Sequence, residues 1–500
     1  MISRRIILKQ CGLGGLGAAV LSSGSAQKPN FVFILADDHA GYVLGADGNR
    51  QARTPNLDRF AAQGFRFAGH HCNSPVCTPS RQSFFTGQLP HMAGVTRLST
   101  PLSEEKPTLA KQFRQSGYTT AVFGKMHFNR PGVSGMHGFD VVHTEDVLTR
   151  QWQKEVIARP LPADTPVKPP WKPLKDPARI WLNADKLPYP RYEADMRASF
   201  QLSQAERFLQ EHKDQPFALW VSFLEPHSPY DFPFEYRNKY APASFKPPRV
   251  GPDDAWQIPL IFRDLSESDK QGIIAAYYTS VEYLDSNIGR LLNKLHELGL
   301  DENTFVVYSA DHGYDLGQHG RFEKHCGYDP ALRIPLLMRY PGRIRPGVTH
   351  DLTEHVDVTA TIVDMLGLPA LPIVHGHSLR PYLDAEPMQS RDHIFSEYLE
   401  NEEAYIRTEA WKFIYCTGKR VRTDGYITGN PTPGRYKILY DLKNDPGEFR
   451  NIAKDHTKTA AELQDLMLSR FRKTHPEAIN EPKDASADEA LDWYLRPRDA

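Results

Sequence analysis

The sequence predicts an α/β protein with a large, mostly parallel sheet flanked by helices and a smaller antiparallel sheet near the C-terminus. Short apolar runs alternate with helix-like segments along most of the chain, which is typical of parallel, helix-flanked sheets. Four of these runs end in charged or histidine side chains. After about residue 385 the runs are short and joined by turn residues, as expected of antiparallel strands.

Composition excludes several classes of partner. The 500 residues include 60 basic and 61 acidic side chains, and the net charge of -1 provides no attraction for nucleic acid or an acidic membrane. A total of 40 prolines and an aromatic content of 11% are typical of a loop-rich globular protein. No apolar run approaches the roughly 20 residues that span a bilayer. We therefore expect no nucleic-acid partner, and no membrane association after export.

Residues 1–26 have the features of an export signal. A basic start with the pair Arg4 and Arg5 is followed by a short, weakly apolar stretch and by the small residues "GSA". The arginine pair resembles a twin-arginine signal, so the mature protein is expected to be periplasmic or secreted from a bacterium. Of the 5 cysteines only Cys11 lies in this segment, and the others are too few for a disulfide framework.

The four apolar runs are predicted strands that deliver polar side chains at their carboxyl ends. The runs are Phe31–Ala36, Thr119–Phe123, Phe217–Leu224 and Phe305–Ser309. The polar residues that follow them are Asp37, Asp38, His39, Lys125, His127, Glu225, His227, Asp311 and His312. Ligands of open α/β sheets bind beyond the carboxyl ends of the strands. The sequence therefore predicts one site with several carboxylates, histidines and a lysine.

The carboxylates of this site indicate a metal ion. Asp37, Asp38 and Asp311 would repel one another at close range unless a cation lay between them. Oxygen ligands favour Ca²⁺ or Mg²⁺, and zinc stays open because His312 and His39 can add nitrogen. Lysine and histidines around a metal suit an anionic substrate, so phosphoryl or sulfuryl transfer fits this set of residues.

The stretch "CNSPVCTPSRQSFFTG" at residues 72–87 leaves three interpretations of its second cysteine: a structural thiol, half of a disulfide, or a reactive centre. Pro79 fits the first turn of a helix, where exposed N–H groups favour anions. A cysteine at such a place tends towards a low pKa and reactivity, and Arg81 can neutralise negative charge beside it. We therefore interpret Cys77 as the reactive centre and Cys72 as a buried thiol.

These residues resemble the sulfatase family. The stretch "CTPSR" at 77–81 matches the family signature C-x-P-S-R and is continued by "SFFTG". Other blocks agree in order and spacing over nearly all of the mature chain: "FILADD", "GKMH" (124–127), "PHSPY" (226–230), "ADHGYDLGQHGRFEK" (310–324) and "YDLKNDPGEFRNIA" (440–453). The resemblance implies a fold related to alkaline phosphatase, with a large mixed sheet sandwiched by helices and a smaller C-terminal antiparallel sheet.

The resemblance also implies a chemistry. A maturation enzyme, a transient partner, would oxidise Cys77 to Cα-formylglycine, whose hydrated aldehyde supplies the nucleophile. One Ca²⁺ would be held by Asp37, Asp38, Asp311, His312 and the modified Cys77. Arg81 and Lys125 would hold the modified side chain and the sulfate. His127 would accept a proton as sulfate leaves the enzyme, and Lys324 and His227 would contact the sulfate and the leaving oxygen, with His227 as general acid.

Several further residues receive weaker assignments. His312 stands where many relatives carry Asn. His39 is either a support for the aspartate pair or a ligand, His70, His71 and His319 are expected to be structural or at the rim, and His325 with Cys326 is a candidate for substrate contact. The non-periodic stretch 159–192 is interpreted as an insertion that shapes the substrate pocket.

The predicted organisation has three parts: a signal over 1–26, a catalytic α/β region over 27–384, and a C-terminal subdomain with a tail over 385–500. The substrate is expected to be a sulfated carbohydrate, because aromatic and basic residues in the insertion suit an anionic glycan. Three alternatives stay open: a phosphonate or phosphodiester hydrolase of the same superfamily, a choline-sulfatase-like enzyme for a small molecule, and a non-catalytic glycan-binding relative.

Overall fold

The computed structural model describes residues 28–420 and 422–498, and the predicted signal over 1–26 lies outside them. The strands of the large sheet are β1 (Asn30–Ala36), β2 (Phe65–His71), β3 (Thr119–Gly124), β4 (Val141–Thr144), β5 (Phe217–Ser222), β6 (Thr304–Ala310), β7 (Leu336–Arg339) and β8 (Gly347–Glu354). Those of the small sheet are β9 (Ile394–Tyr398), β10 (Glu403–Arg407), β11 (Trp411–Cys416) and β12 (Tyr436–Asp441).

Helices connect the strands and cover both sheets. They are α1 (Pro55–Gln63), α2 (Cys77–Thr86), α3 (Pro90–Ala93), α4 (Leu109–Gln115), α5 (Glu145–Glu155), α6 (Ala178–Trp181), α7 (Arg197–His212), α8 (Leu260–Arg263), α9 (Glu267–Glu297), α10 (Asp329–Leu332), α11 (His355–Leu366), α12 (Arg380–Leu383), α13 (Thr457–Thr474) and α14 (Ala487–Tyr494). None of these described helices is long and apolar enough to cross a membrane.

The large sheet is mixed and mostly parallel. Its strand order is β4-β3-β5-β1-β6-β7-β2-β8, and β7 pairs antiparallel with both of its neighbours while the other pairs are parallel. Strands β1, β5 and β6 are buried along their whole length, which explains their continuous apolar sequences. The predicted fold class is therefore confirmed.

Two apolar cores lie on opposite faces of this sheet. Val32 and Ile34 of β1 belong to the core that α7 and α9 cover, whereas Phe31 and Phe33 belong to the core under α2, α4 and α11. This alternation follows from the two-residue period of a strand. Helix α9 begins directly after Ser266, which forms a capping box with Asp269.

The small sheet has the order β12-β11-β10-β9 and is antiparallel throughout. Its outer face packs against α13 and α14 in a third apolar core. Helix α12 ends at Leu383 and β9 begins at Ile394, and the predicted boundary at residue 384 between catalytic region and subdomain falls between these two elements. That boundary stays a prediction.

The stretch 159–192 packs on the segment that follows β5. Lys168 pairs with Asp231, and the amide of Tyr189 donates to the carbonyl of Phe232 at 2.9 Å. Trp181 in α6 is almost fully buried. The stretch is therefore ordered by its own apolar and ionic contacts, and its predicted role in shaping the substrate pocket stays a prediction.

Candidate active site

The sheet topology places the polar strand ends side by side. Strands β3, β5, β1 and β6 are consecutive in the sheet and parallel, so the residues after their last strand positions lie along one edge. This edge receives Asp37 and Asp38 after β1, Lys125 after β3, His227 after β5 and Asp311 after β6. The site is therefore built from segments that are far apart in sequence and adjacent in the sheet.

Cys77 lies at the centre of this group. Its Sγ is 3.2 Å from His312 Nε2, 3.2 Å from Lys324 Nζ, 3.7 Å from Asp37 Oδ1 and 3.8 Å from Lys125 Nζ. The side chain is only 2% exposed. A small nucleophilic side chain is thus enclosed by two ammonium groups and a carboxylate.

The surroundings of Cys77 favour its charged form, in contrast to Cys72. Cys77 is the first residue of α2, and the positive end of a helix dipole favours a thiolate at this position. Burial works to raise the pKa of Cys77, but Lys125 and Lys324 outweigh it and lower the pKa to about 7. Burial, followed by the charge of Asp311, raises the pKa of Cys72 far above its usual value, and the weaker opposing effect of Lys412 does not offset this.

The aspartates are buried and incompletely paired. Asp38 Oδ1 accepts from Lys324 Nζ at 2.7 Å, whereas Asp38 Oδ2 has no hydrogen-bond partner in the described chain and its nearest ionic neighbour, His227 Nε2, is 3.9 Å away. Burial raises the pKa of Asp38 to about 7 although Lys324 opposes it, and the neighbouring charge of Asp37 adds to the rise. An unpaired carboxylate oxygen in a dry site calls for a cation.

Arg81 connects the ends of four strands. Its Nε donates to Asp311 Oδ2 at 2.9 Å, and its terminal nitrogen lies 3.4 Å from Asp37 Oδ2. The other terminal nitrogen donates to Ser222 Oγ at 2.8 Å and to the carbonyl of Lys125. Because Arg81 is fully buried, these contacts fix the relative positions of the carboxylates.

The side chains of this edge can hold a divalent cation. A first group of four possible ligand atoms lies within 4.8 Å of one another, one atom each from Asp37, Cys77, Asp311 and His312. A second overlapping group contains Asp37, Asp38, Cys77 and His227. The two groups share Asp37 and Cys77. The three carboxylates of the two groups together, and the unpaired oxygen described above, fit a hard cation with oxygen ligands.

His227 and His127 lie at the more open side of the site. The side chain of His227 is 24% exposed, and its Nδ1 lies 2.7 Å from the carbonyl oxygen of Ser228, to which it donates. This hydrogen bond leaves Nε2 free for a ligand. Burial, followed by the charges of Lys324 and Lys125, lowers the pKa of His227 well below its usual value.

His127 is similarly held in its neutral form. Burial, then Lys125 and Arg81, lower the pKa of His127 to about 3, and its Nδ1 has no hydrogen-bond partner in the described residues. The backbone here is in the left-handed region, with φ 56° for His127. Gln82 of α2 donates to its carbonyl oxygen at 3.1 Å, which ties the turn to the helix that begins with Cys77.

The remaining predicted histidines have structural partners. His39 bonds through its ring nitrogens with the Tyr308 hydroxyl at 2.5 Å and the Val43 carbonyl at 2.8 Å. His319 bonds with Asp254 at 3.0 Å and stacks on a tyrosine. His70 and His71 bond with Thr353 Oγ1 and the carbonyl of Gly69, respectively, both at 2.9 Å. His325 and Cys326 line a separate cavity against one face of the small sheet.

Two residues that support the site were missed in the sequence. The hydroxyl of Tyr277, in α9, donates to the carbonyl oxygen of Asp38 at 2.5 Å and accepts from the amide of Ala40 at 2.9 Å. Ser222 bonds with Arg81 as described. Tyr277 lies among apolar residues of a long helix and Ser222 at the end of an apolar strand, so neither had a local signal that distinguishes it from core.

Comparison with known proteins identifies the family. The Sulfatase family profile matches residues 29–368, and the profile for the C-terminal part of N-sulphoglucosamine sulphohydrolase matches residues 317–476. The choline-sulfatase of Rhizobium meliloti is 28% identical, over 86% of this chain and 83% of its own length. The N-acetylglucosamine-6-O-sulfatase of Bacteroides thetaiotaomicron is 26% identical, over 88% of this chain and 86% of its own length.

A similar solved structure is the phosphonate monoester hydrolase of Agrobacterium radiobacter, with a TM-score of 0.74 and 24% identity over 92% of this chain and 98% of that one. This likeness shows that the two proteins share a fold, in which the ends of the central parallel strands carry the polar cluster around Cys77. With the profile covering residues 29–368, the chain belongs to the sulfatase family. It is a sulfuric ester hydrolase.

Proposed function

We propose that this sulfatase removes sulfate from a sulfated carbohydrate, using a bound Ca²⁺ and a nucleophile made from Cys77. The observation that carries the proposal is the environment of Cys77, whose Sγ lies 3.2 Å from Lys324 Nζ and 3.8 Å from Lys125 Nζ. The two ammonium groups can stabilise negative charge on the peripheral oxygens of a sulfuryl group. Nearby carboxylates can hold the cation that completes the charge balance.

The proposed cofactors use residues already in place. The Ca²⁺ ligands would be Asp37, Asp38, Asp311, His312 and residue 77. When bound, the ion would polarise the sulfate and offset the mutual repulsion of the carboxylates. Conversion of Cys77 to Cα-formylglycine by a maturation enzyme would replace the thiol by a hydrated aldehyde, whose hydroxyl is the nucleophile. Arg81 would keep the modified side chain and the sulfate aligned through its fixed contacts with Asp37 and Asp311.

His227 is the proposed general acid for the leaving oxygen. Its Nδ1 donates to the Ser228 carbonyl, so Nε2 is the nitrogen that can carry a proton to the ester oxygen. In the free protein the pKa of His227 is well below its usual value because of burial and the neighbouring lysines. The negative charge of the bound sulfate ester, and the charge that develops on the leaving oxygen as the S–O bond breaks, would oppose those lysines and stabilise the proton on Nε2.

His127 is the proposed base for the release of sulfate from residue 77. A base must be neutral before it accepts a proton, and the low pKa of His127 keeps it neutral at any pH near 7. Its Nδ1 has no hydrogen-bond partner among the described residues and is available for that proton. Lys324 would act differently, because its charge stabilises the sulfuryl group regardless of the leaving group.

One relative supports the proposal of a carbohydrate substrate, and two other similar proteins favour different substrates. The name of the N-acetylglucosamine-6-O-sulfatase relative indicates a sugar sulfate as substrate. The name of the choline-sulfatase relative indicates the sulfate ester of a small cation. The fold shared with a phosphonate monoester hydrolase keeps that reaction as a second candidate. We infer that the mature protein is exported, since a sulfated glycan is met outside the cell.

Two measurements test the proposal. Mass spectrometry of the peptide that holds residue 77 should show the aldehyde, and an unmodified thiol in fully active protein would contradict the nucleophile. Sulfate release should then be compared among a sulfated N-acetylhexosamine, choline sulfate, an aryl sulfate and an aryl phosphonate. The sugar should give the highest kcat/KM relative to its uncatalysed rate. A higher value for choline sulfate or the phosphonate would overturn the substrate assignment.

A further inference from the structure

The ammonium group of Lys324 lies beside Cys77 although the lysine belongs to a long loop. Its Nζ donates to Asp38 Oδ1 at 2.7 Å and lies 3.2 Å from Cys77 Sγ. Residues 311–328, which carry Lys324, form a loop apart from one short 3-10 turn at Gln318–Gly320. A lysine side chain is a flexible four-carbon stem. The position of the ammonium therefore depends on how firmly the backbone around residue 324 is held.

Hydrogen bonds within the loop shape this piece of backbone. The carbonyl of Glu323 accepts from the amide of Asp315 at 2.8 Å, and the carbonyl of Lys324 accepts from the amide of Cys326 at 2.7 Å. Donor and acceptor belong to the same loop in both bonds. They therefore define its local conformation, whereas a contact with a different element is what fixes its position in the molecule.

Arg422 provides such a contact from the small sheet. It lies in the loop between β11 and β12. One of its terminal nitrogens donates to the carbonyl of His325 at 3.2 Å and lies 3.4 Å from Glu323 Oε2. His325 and Glu323 are the immediate neighbours of Lys324 in sequence. A single guanidinium thus contacts the chain on both sides of the lysine.

The guanidinium of Arg422 is itself held in place. Its Nε donates to Asp424 Oδ2 at 3.1 Å, and the terminal nitrogen that reaches His325 also donates to Asp424 Oδ2, at 2.6 Å. The same carboxylate oxygen accepts from the hydroxyl of Tyr398, the last residue of β9, at 2.5 Å. The side chain of Arg422 is 12% exposed and that of Asp424 is 8% exposed. A planar guanidinium held in this way directs its donors along fixed lines.

The charges of this group balance one another. Glu323 is fully buried, and it pairs with Arg321 of its own loop as well as with Arg422. Burial works to raise the pKa of Asp424, but the charge of Arg422 outweighs it and holds that pKa below its usual value. Arg422 and Asp424 therefore both stay ionised near neutral pH, and the contacts with the lysine segment persist there.

We propose that Arg422 is a positioning residue for sulfuryl transfer, because it holds the backbone on both sides of Lys324 and so keeps the ammonium beside residue 77. This rests on the proposed function, since it requires that Lys324 stabilise the sulfuryl group. The small sheet thereby contributes to the reaction through a residue that does not touch the substrate. A displacement of roughly 1 Å in an active-site group can cost about 10²-fold in rate, so the contribution is measurable.

The test is a double-mutant cycle on the mature, metal-loaded protein. An aryl sulfate is the substrate, because its leaving group departs readily and weak activities stay measurable. Arg422→Met removes the charge and the donors while keeping an unbranched side chain, and it should lower kcat/KM by about tenfold to 10²-fold. In a Lys324→Ala background the same substitution should lower kcat/KM by about twofold or less, because the group that Arg422 positions is already gone.

Arg391→Met is the matched control for the loss of a buried arginine. Arg391 precedes β9, its side chain is 10% exposed, and it pairs with Asp357 and lies 3.9 Å from Glu354 Oε2. Breaking a buried ion pair destabilises a protein wherever the pair lies. Both methionine variants should therefore unfold at lower urea concentration than the parent, whereas Arg391→Met should keep kcat/KM within about twofold, since changes at distant sites are independent.

Arg422→Lys provides a second test if the methionine variant does not fold. Lysine keeps the positive charge beside Glu323 and Asp424 but replaces the planar fork by an ammonium on a flexible stem. We expect kcat/KM to fall by about threefold to tenfold, between the parent and Arg422→Met, and again by about twofold or less in the Lys324→Ala background.

Two kinds of outcome would overturn the proposal in distinguishable ways. If the Arg422 variants keep the parent rate, lose the same factor with and without Lys324, or lose no more than Arg391→Met, the positioning role alone is wrong. If Lys324→Ala keeps the full rate of a mature protein that releases sulfate, the proposed role of Lys324 is wrong, and the positioning role is overturned with it.

Discussion

Two clusters of buried charge lie near the two ends of the loop between β2 and α2, and they differ in how completely their charges are paired. The strand-end cluster surrounds Cys77 and contains Asp37, Asp38, Asp311, Lys125 and Lys324. The interface cluster, between α10 and the small sheet, consists of Asp329, Lys412, Arg407 and Glu448. Lys412 is fully buried and its Nζ lies 2.6 Å from Glu448 Oε1 and also pairs with Asp329. Arg407 Nε adds a contact of 3.2 Å to Asp329 Oδ2.

Asp38 and Asp329 respond differently to burial, whereas Asp37 at the strand ends resembles Asp329, because burial is outweighed by the nearby lysines and Arg81, which hold its pKa well below its usual value. In the interface cluster, Lys412 and Arg407 overcome burial and hold the pKa of Asp329 well below its usual value. At the strand ends, burial raises the pKa of Asp38 to about 7 despite Lys324. The interface cluster is therefore complete in its ionic contacts, since Asp329 and Glu448 both contact Lys412. In the strand-end cluster, Asp38 Oδ2 has no such contact with a lysine or arginine among the described residues and lies 3.9 Å from His227 Nε2. That difference separates charges that hold the fold together from charges that bind something.

The largest expected effect is the loss of the nucleophile. Cys77→Ala should reduce sulfate release to the background rate, because the alanine cannot be converted to the aldehyde, while the free energy of unfolding changes by about 1 kcal/mol or less in a polar site of this kind. Both are measured, the first by released sulfate and the second by urea unfolding.

Cys72 supplies the matched control for this variant. It is equally buried, but its Sγ lies 3.9 Å from the Ala331 carbonyl and packs in an apolar core, whereas the Sγ of Cys77 faces two lysines. Cys72→Ala should keep most of the activity. A Cys77→Ala protein with more than a few per cent of the original rate would contradict the covalent mechanism.

The second prediction separates His227 from Lys324 by leaving group. His227→Ala should slow substrates with poor leaving groups, such as sugar sulfates, by roughly 10²- to 10⁴-fold and aryl sulfates far less, since an aryl oxide departs without protonation. Lys324→Ala should slow both types similarly, because its charge acts on the sulfuryl group. The measurement is the ratio of sugar-sulfate to aryl-sulfate rates. Equal losses on both for His227→Ala would remove it from the acid role.

The third prediction exchanges one carboxylate in each cluster. Asp311→Asn should lower Ca²⁺ content and activity together, with activity reduced by at least about 10²-fold. The reason is that even a residue that only hydrogen-bonds to a metal ligand contributes about 10–100-fold to metal affinity or activity. Asp329→Asn should leave Ca²⁺ content unchanged and instead lower the free energy of unfolding by about 3 kcal/mol, because Lys412 loses a buried partner.

Elemental analysis and urea unfolding of both variants check this pair. Metal loss in Asp329→Asn, or a stable Asp311→Asn protein with full Ca²⁺, would erase the distinction between the two clusters. Stoichiometric zinc without calcium in the parent protein would overturn the choice of metal.

The sequence predicted the strand-end cluster better than the interface cluster, for a physical reason. Asp37 and Asp311 follow buried strands directly, and parallel strands bring their carboxyl ends to one edge whatever the rest of the fold does. The partners Asp329 and Lys412 are 83 residues apart and belong to an α-helix and an antiparallel strand. Their pairing depends on how the small sheet packs, which no local pattern specifies. Tyr277 was not predicted because its contact with the Asp38 carbonyl likewise depends on tertiary packing, in this case of α9 against the large sheet.

The smallest expected effect concerns pH and the interface cluster. Burial lowers the pKa of His71 to about 4, although its contact with Asp329, 3.6 Å away, opposes this shift. In the unfolded chain the pKa of histidine is about 6.5. Between these values the unfolded state binds a proton that the folded state does not, so stability falls as pH falls from about 6.5 towards about 4, by about 2 kcal/mol at pH 5 from this side chain.

His71→Asn should remove this share of the pH dependence. Asparagine can still donate to the Gly69 carbonyl, which His71 Nδ1 contacts at 2.9 Å, but it does not titrate. The free energy of unfolding, measured in urea at pH 7.5 and at pH 5, should therefore drop by about 2 kcal/mol less in the variant than in the parent protein. The same drop in both proteins would show that His71 is protonated alike in the folded and unfolded states. The folded interface cluster would then accept a proton on His71 without a loss of stability. Its complete ionic pairing would therefore no longer distinguish it from the strand-end cluster.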